Sequence, residues 1–267
     1  MTERPNVESN APNDALKLPV ANVPKHIAIV MDGNGRWAQS RGLPRSAGHV
    51  RGADTVRDIV EACAEWGVRR LTLYCFSNEN WKRPQEELDA LAALLKNYMI
   101  EQRPTLMKNN VRLRILGRRR PIADDVLAEM DKTVGITANN TGLTLALAIN
   151  YGARQEIIDA TRAIVDELLD PKKREATLRD RNVVSVEELI DERFFASKLY
   201  DPDAIDPDLF IRTGGEKRLS NYLLWQLSYA ELWFTDVLWP DFTRNDLKEA
   251  IIWFQSRQRR FGDVVSR

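Results

Sequence analysis

The sequence predicts one α/β domain built on a mostly parallel, six-stranded sheet flanked by helices. Six short apolar runs of strand length, helical periodicity between them, and the lack of an interior Gly-, Ser- or Pro-rich linker point there. The runs are residues 26–31 (HIAIVM), 71–76 (LTLYCF), 111–116 (VRLRIL), 144–150 (TLALAIN), 209–212 (LFIR) and 231–235 (ELWFT). Strands this apolar, separated by helices, fit a sheet covered on both faces, because parallel strands need crossover connections.

Residues 1–24 hold four prolines and four asparagines without periodicity and read as a disordered leader, leaving 25–267 as one domain. After the first run, Val50, Ala53, Val56, Val60 and Cys63 recur at helical spacing, and Gly67 offers a stop. Leu88, Leu91, Leu95 and Met99 repeat the pattern before the third run, and residues 153–169 and 245–261 also read as helices. The polar stretch 170–185 reads as a surface excursion, and the aspartates of 201–208, alternating with prolines, as a loop.

Lys+Arg 39 against Asp+Glu 39 gives a net charge of +0, which argues against nucleic acid held on a broad basic face. Cys63 and Cys75 form no zinc spacing and are expected as reduced core residues, in keeping with a cytoplasmic location. No run approaches the roughly 20 apolar residues a membrane span needs, so any membrane contact is expected to be peripheral. The polar N-terminus does not read as a signal peptide.

Ligands of open parallel sheets bind beyond the carboxyl ends of the strands, and polar clusters stand there. Asp32-Gly33-Asn34-Gly35-Arg36-Trp37 follows the first run. Its glycines allow close backbone approach to an anion, and residues 33–51 carry Arg36, Arg41, Arg45 and Arg51 with His49 and no acid. Arginine suits forked recognition of phosphate oxygens. A carboxylate such as Asp32 beside a phosphate loop repels its ligand unless a cation such as Mg²⁺ lies between them; a plain turn cap is the alternative. Ser77, Asn78, Glu79, Asn80, Trp81 and Arg83 after the second run read as a substrate wall, a helix entry, or both. Arg212, Gly214, Gly215, Arg218, Leu219 and Ser220 after the fifth run form a second candidate anion cradle. Glu231, in an aromatic stretch, is either paired with an arginine or a metal ligand. Leu88, Leu91, Leu95 and Met99, with Leu143, Leu145 and Leu147, are pocket lining or plain core.

At these residues the chain closely resembles the cis-prenyltransferase (undecaprenyl diphosphate synthase) family. The resemblance is carried by HIAIVMDGNGRWA (26–38), RSAGH (45–49), LTLYCFSNENWKRP (71–84), NTGLTLALAINYGAR (140–154) and the segment from Asp208 to Phe242, and it spans residues 26–262. It implies a dimeric α/β fold without the Rossmann strand order. It also implies repeated cis addition of isopentenyl diphosphate to an allylic starter such as farnesyl diphosphate, giving a long polyprenyl diphosphate of undecaprenyl type. Under the resemblance Asp32 is the magnesium and diphosphate aspartate, and Gly33, Asn34, Gly35, Arg36, Arg45 and His49 hold the allylic diphosphate. Trp37, Trp81 and Arg83 contact substrate, with Asn78 and Glu79 beside them. Ser77 and Asn80 stand near the proton-removal step. Arg212, Arg218, Leu219 and Ser220 form the isopentenyl diphosphate site, with Glu231 as second magnesium ligand. Cys75 stands where a small residue such as alanine is common.

Two other readings compete. A dinucleotide-dependent oxidoreductase matches the pattern Gly33-x-Gly35-x-x-Ala38, but Gly42 and Pro44 interrupt, and the helical pattern starts only near Gly48. A non-catalytic partner subunit of the same family is expected to lack the Asp32 loop or the arginine cradles, and all are present.

Overall fold

In the computed structural model, which describes residues 22–257, each apolar run is a strand. β1 (His26–Val30) leads through α1 (Asn34–Gln39) and α2 (Arg45–Glu65) to β2 (Arg70–Ser77). A 3₁₀ turn (Asn78–Lys82) precedes α3 (Gln85–Glu101), α4 (Arg103–Lys108), β3 (Arg112–Leu116), α5 (Asp124–Thr137), β4 (Thr144–Tyr151) and α6 (Ala153–Leu169). The short helices α7 (Pro171–Asp180), α8 (Val186–Leu189) and α9 (Glu192–Ala196) come before β5 (Leu209–Arg212) and β6 (Glu231–Phe234). A second 3₁₀ turn (Trp239–Asp241) and α10 (Arg244–Gln255) follow.

The strands form one sheet in the order β3-β4-β2-β1-β5-β6, and every pairing is parallel. That order differs from the 3-2-1-4-5-6 of a dinucleotide-binding sheet, as the resemblance implies. Side-chain alternation gives the two faces different work. Ile27, Ile29, Leu71, Leu73, Leu145 and Leu147 pack with α2, α5 and α10 in the main core, whereas Ala28, Ala146 and Ala148 face Tyr151 and Tyr222 on the other side. Leu73 is 0% exposed, so truncating it to alanine would cost about 2–5 kcal/mol.

Several expectations are corrected. The glycines of 33–35 do open a helix: α1 starts at Asn34 directly after Gly33, but it is only six residues long. Part of the polar excursion is α7, started by Pro171 and by Asp170, whose side chain accepts from the Lys172 and Lys173 N–H groups. It buries no residue, so no apolar stripe announced it. Helix α5 is an element beyond those expected, with Val126, Leu127 and Met130 carrying its spacing. Cys63 is buried as expected, but Cys75 is exposed and lines a cavity. The surrounding protein still pushes its thiol up to about 12. Most of the expected leader, and residues 258–261 of the last expected helix, lie outside the described residues.

Candidate active site

The carboxyl ends of β1, β2, β4 and β5 surround a cavity of about 730 Å³. Asp32 stands two residues beyond β1, its carbonyl fixed by the Thr213 hydroxyl (2.8 Å) and the Trp239 N–H (3.0 Å). Its carboxylate accepts from Nη2 of Arg212 at 2.9 Å and from Nη2 of Arg36 at 3.3 Å. Arg212 ends β5 in register with Val30, which puts its guanidinium beside that carboxylate. Its Nη1 donates to the Ser220 hydroxyl at 2.7 Å and to the Arg218 carbonyl at 2.5 Å, while its buried Nε has no partner among the described residues.

The glycines serve these arginines. A Cβ on Gly35 would lie 2.6–2.9 Å from the Arg45 guanidinium. One on Gly214, whose φ is +82°, would lie 2.5 Å from Nη2 of Arg36. Any larger residue would fill the space in which the cradles sit.

Arg45 and His49 of α2 and Arg83 after the 3₁₀ turn converge on Glu87. The distances are 3.5 Å from Arg45, 3.7 Å from His49 and 2.9 Å from Arg83. Sequence reasoning missed Glu87; its signal was the Arg83-to-Glu87 spacing of four at the start of α3. All three side chains line the cavity, and Glu87 lines a small niche beside it with Ser46, His49 and Val50. Burial, aided by the Arg83 charge and opposed by Glu87, lowers His49 to about 4, so its imidazole is neutral near pH 7.

Ser77, Asn80 and Trp81 also line the cavity. The Asn80 Oδ1 accepts the Ser77 N–H at 3.0 Å. The remaining expected residues stand apart from the cavity lining. Trp37 donates its indole N–H to Asp241 at 2.7 Å and is covered by Arg41 at 4.3 Å. Glu79 accepts from Asn221 at 2.9 Å, Leu219 packs against the Tyr222 side of the sheet, and Asn78 occupies the 3₁₀ turn without facing the cavity. Glu231 is paired with Arg257 at 3.3 Å. It begins β6, in register with Leu209, and so lies at the opposite end of the strands from Asp32 within one chain. Deeper in, Leu88, Leu91 and Leu95 of α3, Val126 of α5 and Leu147 of β4 make an apolar shaft, while Met99, Leu143 and Leu145 belong to the core.

An arginine-rich rim above an apolar shaft accommodates an amphiphile with an anionic head and a hydrocarbon tail. No group of three or more His, Cys, Asp or Glu among the described residues makes a ready metal cage. The Asp32 carboxylate, 31% exposed, fits instead a hard cation completed by substrate oxygens and water.

A family model described as "Putative undecaprenyl diphosphate synthase" matches residues 30–262. The chain belongs to that family. It is 50% identical over 244 residues to an isoprenyl transferase of Rhodopirellula baltica, covering 91% of this chain and 95% of the relative. With an isoprenyl transferase of Clostridium tetani the identity is 45% over 257 residues, 96% of each chain. Among solved structures, lavandulyl diphosphate synthase from Lavandula x intermedia, in complex with dimethylallyl diphosphate, matches with a TM-score of 0.82 at 29% identity. That match covers 90% of this chain and 99% of the other. A probable undecaprenyl diphosphate synthase from Campylobacter jejuni matches with a TM-score of 0.71 at 35% identity, covering 91% and 100%. The chain is thus a cis-prenyltransferase, a family whose substrates are isoprenyl diphosphates. No helix among the described residues is long and apolar enough to cross a membrane.

Proposed function

We propose that the protein extends an allylic diphosphate, farnesyl diphosphate in this reading, by repeated cis addition of isopentenyl diphosphate to give undecaprenyl diphosphate. The observation that carries this is one cavity lined by Asp32, by two arginine-bearing clusters and by an apolar shaft. The allylic head is assigned to the Gly33–Arg36 loop with Arg45, His49 and Arg83, and the isopentenyl head to Arg212, Arg218 and Ser220. Trp81, beside the shaft, is assigned to the hydrocarbon.

Departure of the allylic diphosphate leaves cationic character on carbon and negative charge on the head group. Arg36 and Arg45, held in place before the reaction, stabilise that charge as it develops. Arg212 and Arg218 fix the second head group so that its terminal alkene meets the allylic carbon. A proton then leaves the extended chain. The Asn80 carbonyl is occupied by the Ser77 N–H, so its amide NH₂ orients a partner and does not act as the base.

Magnesium is part of the proposal, held by Asp32. When bound, it would polarise and neutralise the phosphate oxygens. Glu231 is left out of this magnesium site because of its position at the far end of β6. A homodimer in the cytoplasm, touching membrane only peripherally to release product, completes the reading. The exposed Tyr229 and Leu232 at the edge strand and the neighbouring Trp233–Trp253 pair support a self-association face there.

Incubation with farnesyl diphosphate, labelled isopentenyl diphosphate and Mg²⁺, followed by sizing of the extracted lipids, tests the reading. A ladder ending near undecaprenyl length is expected. No incorporation, or a single condensation product, would overturn it.

A further inference from the structure

The cavity walls after β2 and before α5 come from distant parts of the chain, and one side chain ties them together. Strands β2 and β4 break register at their carboxyl ends: Phe76 faces Ile149, yet the next residue, Ser77, faces Tyr151. Asn150 is therefore an extra residue in β4, a bulge, and its φ of 50° is left-handed. Asparagine tolerates that conformation, and bulges beside ligand sites re-aim a side chain.

The re-aimed side chain is buried at 2% exposure, and its partners come from the two walls. Its Oδ1 accepts the Trp81 indole N–H at 2.7 Å. Its Nδ2 donates to the carbonyls of Arg118 and Arg120, both at 2.7 Å. Its own carbonyl accepts the Arg118 N–H at 3.2 Å. An indole N–H only donates and peptide carbonyls only accept, so the amide has a single satisfied orientation. Trp81 and the adjoining Pro121, Ile122 and Ala123 line the cavity, whereas Asn150 does not.

We propose that Asn150 is a positioning residue of the hydrocarbon site: its bulged amide locks Trp81 to the 118–121 loop and so sets the separation of the two walls that grip the allylic tail. The inference rests on the functional reading above. Without the amide, the Trp81 N–H and two carbonyls lose buried partners, and the indole is left with apolar packing, its edge contact with Phe76 at 5.0 Å between ring centroids included. An indole freed in this way no longer presents one fixed face to the substrate.

The test uses Asn150→Gly, which accepts the left-handed backbone without strain, and Trp81→Phe, which removes the indole donor. Each is expected to raise the KM for farnesyl diphosphate about tenfold, the loss of a buried polar partner. The KM for isopentenyl diphosphate should stay unchanged, and the double variant should be no worse than the poorer single one. The spectroscopic readout is the indole ¹⁵N–H resonance that Trp81→Phe deletes from the set of seven tryptophans. It should move in Asn150→Gly. Should that variant not fold, Asn150→Asp keeps the acceptor for Trp81 but cannot donate to the two carbonyls, and the same rise in KM is expected. Additive effects on KM, or an unmoved resonance in Asn150→Gly, would overturn the clamp. A wild-type protein that elongates nothing while the resonance still moves would overturn the functional reading and leave the clamp standing.

Discussion

Arg212 donates to Asp32 across 2.9 Å, and the two differ in their contact with water: the arginine side chain is 4% exposed and the aspartate 31%. The carboxylate is therefore both the counter-charge of a buried guanidinium and the group that a cation in the cavity would meet. Asp32→Asn and Asp32→Ala separate these roles. The asparagine keeps an oxygen for Arg212 but loses the charge, and turnover should fall by about a thousandfold or more. The alanine leaves the guanidinium with only Ser220 and the Arg218 carbonyl, and should in addition lose about 2 kcal/mol of stability. That is below the 3–5 kcal/mol of a fully buried pair because Asp32 is partly solvated. Urea titrations beside turnover assays would check both; near-normal elongation by Asp32→Asn would remove the carboxylate from the chemistry.

Gly35→Ala addresses the cradle. The new Cβ would lie within 2.6–2.9 Å of the Arg45 guanidinium, which is the mobile end of a long side chain. Relief by swinging Arg45 away is cheap for the fold and costly for the head group, since it vacates an anion position. The expected result is a KM for the allylic diphosphate raised about tenfold, the value of one charge-assisted contact, with an unchanged melting temperature. Calorimetry and steady-state kinetics on the same sample decide it.

Glu87→Gln removes the carboxylate shared by Arg45, His49 and Arg83 while keeping its volume. The clustered positive charges then repel one another, and the cradle spreads. A severalfold rise in the allylic KM is expected, with the isopentenyl KM unaffected because Arg212 and Arg218 do not touch Glu87. Equal rises in both constants would place Glu87 in the general fold and not behind one cradle.

The sequence made the scaffold legible because burial forces a signal: a strand such as 209–212, covered on both faces, must be apolar throughout. Helix α7 buries no residue fully, Leu178 packing only partly against its neighbours, and carries no such signal. At the site, Asp32, Arg36, Arg45 and Arg212 were readable as charge placed next to glycine turns at strand ends. Glu87 shows only its spacing of four from Arg83, and Asn150 shows nothing, since each acts through partners, Arg45 and Trp81 among them, whose proximity depends on how helices and a bulge pack. Glu231 shows the converse limit. Its place in an aromatic strand is plain in the sequence, but which end of the sheet it occupies follows only from the register with Leu209.

The two histidines make a prediction about acid. Burial is the main cause that lowers His49 to about 4 and His26 to about 3, from an ordinary value near 6.5. Beside His26, the Arg70 charge adds to the effect of burial, against the Ile205 carbonyl that its ring meets at 2.6 Å, while the Thr72 hydroxyl lies 2.8 Å from the other ring nitrogen; His49 lies against Arg45, Arg83 and Glu87. Between these depressed values and 6.5 the unfolded chain binds protons that the folded one refuses, so stability falls as pH drops. The contribution is whole above pH 6.5 and is lost progressively toward pH 4, where His49 alone accounts for a loss of about 3 kcal/mol. Urea midpoints measured from pH 7 to pH 4 should decline, and His49→Gln should flatten the decline by roughly one proton's share. A midpoint that held steady or rose on acidification would show that the folded protein protonates these imidazoles as readily as the unfolded chain does.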